Sequence, residues 1–338
     1  MMRLLVLGGT VFLSRTVSDL AVARGYDVSC ACRGESGPLP AGVRHIRVDR
    51  DDPDGFAGLA GERFDAVVDV ARRPSQVRRA LTALAERTGH WTFVSTGSVY
   101  ADDATPGQRV DTAPVLPEAA PNADETDPES YGPLKVACEQ AVRTVRGGDA
   151  FVVRAGLIGG PHDVTDRFSY WPLRLARGGE VLAPGSPADV MQVIDVRDLA
   201  AWLLDSAAAG RTGTYDGVGE AIPFGRLLER VAAGIGVRPR LTWVDQDFLT
   251  DQGVQPWMGD RSLPLWLPRP RYAGHSSRNG GPAYRAGLRR RDIAETARDT
   301  LAWERAVSRE HPVNAGLTEA EETELLAAWH ATRSKPGA

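Results

Sequence analysis

Through the first 155 residues, short β-branched or apolar runs alternate with amphipathic stretches, and this rhythm limits the fold more than any single motif does. Arg3–Leu7 reads as a strand. A helix follows from about Phe12 to Arg24, with Leu13, Val17, Leu20 and Ala21 on one face and Gly25 as its stop. Asp27–Cys32, Arg44–Val48 and Phe64–Val70 are the second to fourth strands, with a helix from about Pro74 to Arg87 behind the fourth. Trp91–Ser95 is the fifth strand. Ala150–Arg154 is the sixth, after a helix near Gly132–Val145. Strands separated by helices of this length predict an α/β fold with a doubly wound parallel sheet, because each parallel crossover needs that much chain to return.

Two stretches break the rhythm. Ala101–Ser130 carries five prolines, many carboxylates and no periodicity, which reads as a lid, a binding loop or disorder. Leu267–Arg285 is similar and rich in Pro, Gly and Arg; its Arg269, Arg271, Arg278 and Arg285, with Arg289–Arg291, read as a solvated basic loop that steers substrate at most. Beyond residue 156 the regularity returns only at Val190–Val196, ahead of a helix Asp198–Ala208, while Ile222–Ile235 and Arg291–Val307 read as helical. The expected organisation is a nucleotide-binding domain of residues 1–156 with 190–215, and a smaller, partly interleaved α/β substrate domain of residues 157–189 with 216–330. Residues 331–338 are a tail. A formal charge of −4 disfavours a polyanion surface, so no nucleic acid is expected. The absence of an apolar run near the ~18 residues of a membrane span, and three cysteines fitting neither a disulfide framework nor a four-ligand metal site, place the chain in the cytoplasm as an expectation.

Chemistry begins at Gly8-Gly9-Thr10, where a buried strand ends in a glycine pair and a helix opens through Phe12 and Leu13. Backbone N–H groups at such a helix start face an anionic pyrophosphate readily. Val11 and Ser14 stand where the usual fingerprint has two further glycines, so a merely tight connection weighs equally. The second strand ends Cys30-Ala31-Cys32-Arg33 with no acid, so Arg33 is placed for a 2′-phosphate, which favours NADP(H) over NAD(H). Asp49 and Arg50 after strand three are placed to flank the adenine, and Val70 and Ala71 ending strand four are further candidates for cofactor contact.

Of 40 Lys plus Arg only two are lysines, Lys135 and Lys335. Lys135 closes Tyr131-Gly132-Pro133-Leu134-Lys135, a spacing that chance would produce roughly 0.04 times in this composition. Pro133 suits a first helical turn, which puts Tyr131 at the positive end of the helix and Lys135 on the same face. A cation there would stabilise a phenolate and make Tyr131 a general acid or base. Ser95-Thr96-Gly97-Ser98 ends strand five, where doubly wound sheets bind ligands.

The glycine turn, the hydroxyl-rich strand end and the later Tyr-x-x-x-Lys together resemble the short-chain dehydrogenase/reductase superfamily, and its extended branch, the NAD-dependent epimerase/dehydratase family, over Arg3–Ala208. The resemblance implies a Rossmann fold, Tyr131 as catalytic acid/base, Lys135 as the residue that binds the nicotinamide ribose, and Thr96 as a hydrogen-bond partner of the substrate oxygen. It places Arg154–Pro161 over the nicotinamide, with Ile158 as a cofactor contact, and makes a homodimer an expectation by analogy. Sugar-nucleotide dehydratases carry an Asp-Glu pair where this chain has Gly97 and Ser98, so elimination is disfavoured. Asp163, Asp166, Arg167, Tyr170 and Trp171 are candidates for contact with a small-molecule substrate; no metal ligands are assigned. The leading expectation is an NADPH-dependent reductase or secondary-alcohol dehydrogenase. The alternatives are a nucleotide-sugar epimerase with tightly held NAD, and a cofactor-gated RNA- or protein-binding member without catalysis.

Overall fold

The computed structural model describes residues 1–308 and 314–333. The elements, in chain order, are β1 (Arg3–Leu7), α1 (Phe12–Ala23), β2 (Asp27–Cys32), β3 (Arg44–Arg47), β4 (Phe64–Asp69), α2 (Pro74–Leu84), β5 (Thr88–Thr96), α3 (Tyr131–Arg146), β6 (Ala150–Ala155), α4 (Tyr170–Ala176), β7 (Glu180–Pro184), α5 (Val196–Ala208), β8 (Gly213–Gly217), α6 (Phe224–Gly234) and β9 (Arg240–Val244). The helices α7 (Gln246–Asp251), α8 (Gly281–Arg285), α9 (Ile293–Ala306) and α10 (Glu319–Arg333) follow. Seven parallel strands form one sheet in the order β8-β6-β5-β4-β1-β2-β3. The order reverses between β1 and β4, which opens a crevice at their carboxyl ends.

Both faces of the sheet are covered, so β1 runs apolar from Leu4 to Leu7 rather than alternating. In β1, Leu4 and Val6 join the cluster under α1 and α5, with Leu13, Val17, Leu199 and Leu203. Leu5 and Leu7 point the other way, against Val77, Leu81 and Val142 of α2 and α3. Leu5 is fully buried, and truncating such a side chain to alanine costs about 2–5 kcal/mol. A third cluster surrounds the parallel pair β7–β9 and includes Phe224, Leu228 and Val231 of α6, Ala297 of α9 and Leu325 of α10.

The sheet has one strand more than the sequence rhythm shows. β8, Gly-Thr-Tyr-Asp-Gly, is short, has no apolar run and is bounded by glycine at both ends, so it does not stand out in the sequence. However, a Cβ on Gly217 would sit 2.7 Å from Val153 Cγ1 and 3.0 Å from Leu199 Cδ1, so this position needs glycine to lie against β6 and α5. β5 extends three residues earlier and one later than its apolar run. The expected strand Val190–Val196 is instead two short pieces, Val190–Met191 and Ile194–Asp195. Between them, the Gln192 side chain bonds the backbone of Gly219 and Arg278. α5 begins at Val196 because the Asp195 carboxylate accepts from the Arg197 backbone N–H.

The two irregular loops dock on each other. Gly107 N–H donates to Ser277 O, Gly274 N–H to Asp103 O and Asn279 N–H to Gln108 O. Asp102, Asp124 and Asp127 accept backbone N–H groups two or three residues on, which is why a carboxylate-rich stretch without periodicity still takes a defined path. The basic loop is therefore not simply solvated. Arg278 is 4% exposed and bonds Gln108, Asp102 O and Asp103; Arg269 bonds Val190 O and Tyr272 O. Arg291 ties the start of α9 to Asp198 of α5 through three hydrogen bonds. Of the expected tail, residues 331–333 complete α10, and 334–338 lie outside the described residues. Among the described residues no helix is long and apolar enough to cross a membrane.

Candidate active site

The turn after β1 is built for close approach. Gly8 and Gly9 adopt φ of 131° and 108°, and a Cβ on Gly9 would lie 2.5 Å from Cys30 Sγ. Ser14, which replaces a fingerprint glycine, is tolerated because it fits beneath Gly8 and turns its Oγ to Val11 O at 2.9 Å. Among the described residues, neither a side-chain cap nor an acid occupies the first turn of α1, so no side chain there takes up its leading N–H groups. Anion binding at this point therefore fits the backbone that is present. Arg33 lies half-exposed beyond β2, 3.3 Å from Glu35, with Arg47 of β3 on the same carboxylate at 3.8 Å.

Asp49 is exposed after β3, whereas Arg50 departs from the expected adenine contact. Its guanidinium is bonded in two places to Asp69, which is fully buried at the end of β4 (2.9 and 3.1 Å). The Asp69 carboxylate also accepts from Ala71 N–H. Arg50 is thus spent on holding the β4 carboxyl end, next to Val70 and Ala71. Ile158, partly buried, lies in a two-residue strand paired with Ile194.

The turn after β5 and the start of α3 are brought together by a missing side chain. Gly132 opens α3 directly against the turn after β5: a Cβ there would stand 2.4 Å from Ser98 O and 2.8 Å from Leu116 Cδ1. Thr96 Oγ1 accepts from Ser98 N–H at 3.2 Å and donates to Ser98 Oγ at 3.3 Å. The second bond is long, so that hydroxyl is readily turned to another acceptor. Both Thr96 and Tyr131 are partly exposed. Lys135 departs from the simple picture of an ammonium presented at the surface. It is 2% exposed, donates from Nζ to Ala71 O (2.7 Å) and Val94 O (2.6 Å), and lies 4.1 Å over the Phe93 ring. Burial pushes its pKa down to about 8, against the opposing pull of Cys138, Asp69 and Glu139. Cys138 is buried one turn on, and burial raises its thiol pKa.

Beneath this surface lies a buried charged network that sequence reasoning missed. Glu139 pairs with Arg154 through two bonds (3.0 and 2.9 Å). Tyr100 donates to Asp216 Oδ1 at 2.6 Å, with the guanidinium groups of Arg154 and Arg278 at 4.9 and 4.1 Å from its ring centre. Burial raises the Asp216 pKa to about 6. The only trace in the sequence is a polar residue here and there inside an apolar run, and nothing in linear order joins residues 100, 154, 216 and 278.

The substrate candidates divide. Tyr170 and Trp171 are no more than 1% exposed; they are core residues packed edge-to-face, and Trp171 Nε1 donates to Pro264 O. Asp163 and Asp166 are fully buried and serve the loop: Asp163 accepts from Thr165 N–H and Oγ1, and Asp166 from Asn314 N–H. These four are corrected from substrate contacts to structural residues, because the polar, Pro-flanked segment folds inward. Arg167 remains partly exposed, 5.2 Å over the Trp257 ring. Among the described residues no three His, Cys, Asp or Glu side chains converge as a metal site.

A doubly wound sheet with a glycine turn at β1 and a Tyr-x-x-x-Lys helix after β5 defines an extended short-chain dehydrogenase/reductase fold. The family comparison agrees: residues 4–216 match the NAD dependent epimerase/dehydratase family, and the chain belongs to it. Among solved structures, WbmG of Bordetella bronchiseptica, in complex with NAD and UDP, is 17% identical with a TM-score of 0.66, covering 90% of this chain and 96% of that one. The UDP-glucose 4-epimerase of Thermus thermophilus, in complex with NAD, is 19% identical with a TM-score of 0.62, covering 90% and 99%. A curated relative, the chloroplast stem-loop binding protein of 41 kDa b from Arabidopsis thaliana, is 25% identical over 219 residues, 60% of this chain. The chain matches about half (54%) of that relative's length.

Proposed function

We propose that the protein is a nicotinamide-dependent oxidoreductase acting on a carbonyl or secondary alcohol, with NADP(H) preferred. The observation that supports it most is the Gly132 contact, which brings the start of α3, where Tyr131 lies, against Ser98 O at the carboxyl end of β5. The dinucleotide supplies the hydride donor or acceptor. Gly8, Gly9 and the α1 N-terminus would hold its pyrophosphate, and Arg33, with Arg47 beside it, would hold a 2′-phosphate once released from Glu35. Thr96 then donates to the substrate oxygen in place of Ser98. Tyr131 gives its proton to that oxygen in reduction and takes it back in oxidation. Lys135, anchored by the carbonyls of Ala71 and Val94, keeps one N–H of its ammonium for a ligand hydroxyl.

The relatives solved with NAD and UDP favour a second reading, a nucleotide-sugar epimerase. Against it, Arg269 and Arg278 are committed to protein partners rather than left for a diphosphate. Fluorescence titration of wild type and Arg33→Ala with NADPH and NADH tests the proposal. Tight NADPH, weak NADH and loss of that difference in Arg33→Ala are expected; NAD that co-purifies and does not exchange would favour the epimerase. Stem-loop RNA binding, named for the Arabidopsis relative, would have to survive Tyr131→Phe and weaken with salt to displace both.

A further inference from the structure

We infer that Arg167 and Trp257 form an anion subsite, and that the substrate is a small carbonyl compound carrying a carboxylate. The orientation toward Tyr131 rests on the function proposed above; the anion subsite itself rests on the following geometry. Arg167 lies in the loop ahead of α4. Its Nε donates to Thr165 Oγ1 at 3.2 Å, and that hydroxyl donates in turn to Asp163 at 2.7 Å, so the base of the guanidinium is fixed. Its Cζ lies 5.2 Å from the centre of the Trp257 ring. Among the described residues, its two terminal nitrogens have neither a hydrogen-bond partner nor a carboxylate within 4.0 Å.

Three other inward-facing arginines each have a carboxylate partner. Arg50 is paired with Asp69, Arg154 with Glu139 and Arg174 with Glu322. A half-buried guanidinium whose terminal nitrogens touch no carboxylate loses solvation that the Trp257 ring and the more distant Asp163 offset only in part, so a ligand anion is a fitting partner. Burial lowers the Arg167 pKa most; Asp163 and Tyr131 oppose this, and exposed Arg72 adds to it, which places Tyr131 and Arg72 within electrostatic reach. Trp257 is held in place for the purpose. Its φ is +73°, a conformation costly for a side-chain-bearing residue, and its ring meets His275 edge-on at 5.4 Å. His275 is bonded to Asp103 at 3.1 Å, so the docked loops brace the ring.

The commitment of Arg269 and Arg278 argues for one carboxylate over a diphosphate. A single planar fork matches a single planar anion in two parallel bonds. Calorimetric titration with oxamate, a carbonyl-bearing carboxylate, and separately with UDP, tests this on wild type, Arg167→Gln and Arg167→Lys. Each is run with and without saturating NADP+, with thermal melts to verify folding. Oxamate should bind wild type, at least tenfold more weakly in Arg167→Gln, and at an intermediate level in Arg167→Lys, with equal melts. No oxamate binding in either state, equal affinity in Arg167→Gln, or UDP binding that depends on Arg167 while oxamate binding does not would each overturn the inference. Arg167-dependent oxamate binding in a protein that ignores both dinucleotides would sink the cofactor reading yet support the anion subsite.

Discussion

Gly132→Ala sets two magnitudes against each other. In a helix, alanine is favoured over glycine by about 0.8–1.0 kcal/mol, so propensity alone predicts a more stable protein. The structure predicts the opposite, because the new Cβ would stand 2.4 Å from Ser98 O, a backbone atom that cannot rotate away. Overpacking of this kind costs about 1–3 kcal/mol. The contact must open by roughly 1 Å to reach ordinary packing distance, and that opening moves the Tyr131 end of α3 away from the turn that follows Thr96. A misplacement of about 1 Å at a reacting centre costs on the order of 10²-fold in rate. The expected result is a melting temperature lowered by a few degrees, with NADPH consumption on a generic diketone reduced far more than the melt explains. Thermal denaturation and initial rates measured side by side decide it. A variant more stable than wild type, with an unchanged rate, would refute the packing argument and the role given to this glycine.

Further outcomes follow from the charged groups. Lys135 titrates near 8 folded and near 10.5 unfolded. Between those values the unfolded chain binds the extra proton, so this group makes stability rise with pH there and opposes folding below 8, by about 3 kcal/mol. Turnover should fall as pH passes about 8, and a pH–rate profile in which Lys135→Met keeps that limb would contradict it. Asp216, raised to about 6 from 3.8, favours the folded state at low pH; this contribution, about 3 kcal/mol, is lost as pH rises from about 4 to 6. Urea denaturation at pH 4 and 7 should show a smaller difference in Asp216→Asn. Arg50→Ala leaves the buried Asp69 carboxylate without its partner and should cost about 3–5 kcal/mol, read from the same denaturation curves.

The parallel sheet was legible because burial on both faces makes continuous apolar runs, and β1 and β2 begin and end where those runs do. Tyr131 and Lys135 were legible from spacing alone. What the spacing did not carry was direction: Lys135 turns inward to two carbonyls, and the segment from Asp163 to Trp171 turns into the core. β8 was hidden because its closing glycine, Gly217, serves packing rather than turning. Arg278 and Trp257 were illegible for a different reason, since their partners come from loops far away along the chain. The pairing of the two irregular loops is likewise long-range and leaves no periodic trace.

The most direct test measures NADPH binding and single-turnover hydride transfer in wild type and Tyr131→Phe on the same preparation. Equal binding, with transfer slowed by about 10²–10⁴-fold in Tyr131→Phe, is the predicted result. A Tyr131→Phe protein that turns over as fast as wild type, or a wild type that binds no dinucleotide, would contradict the account.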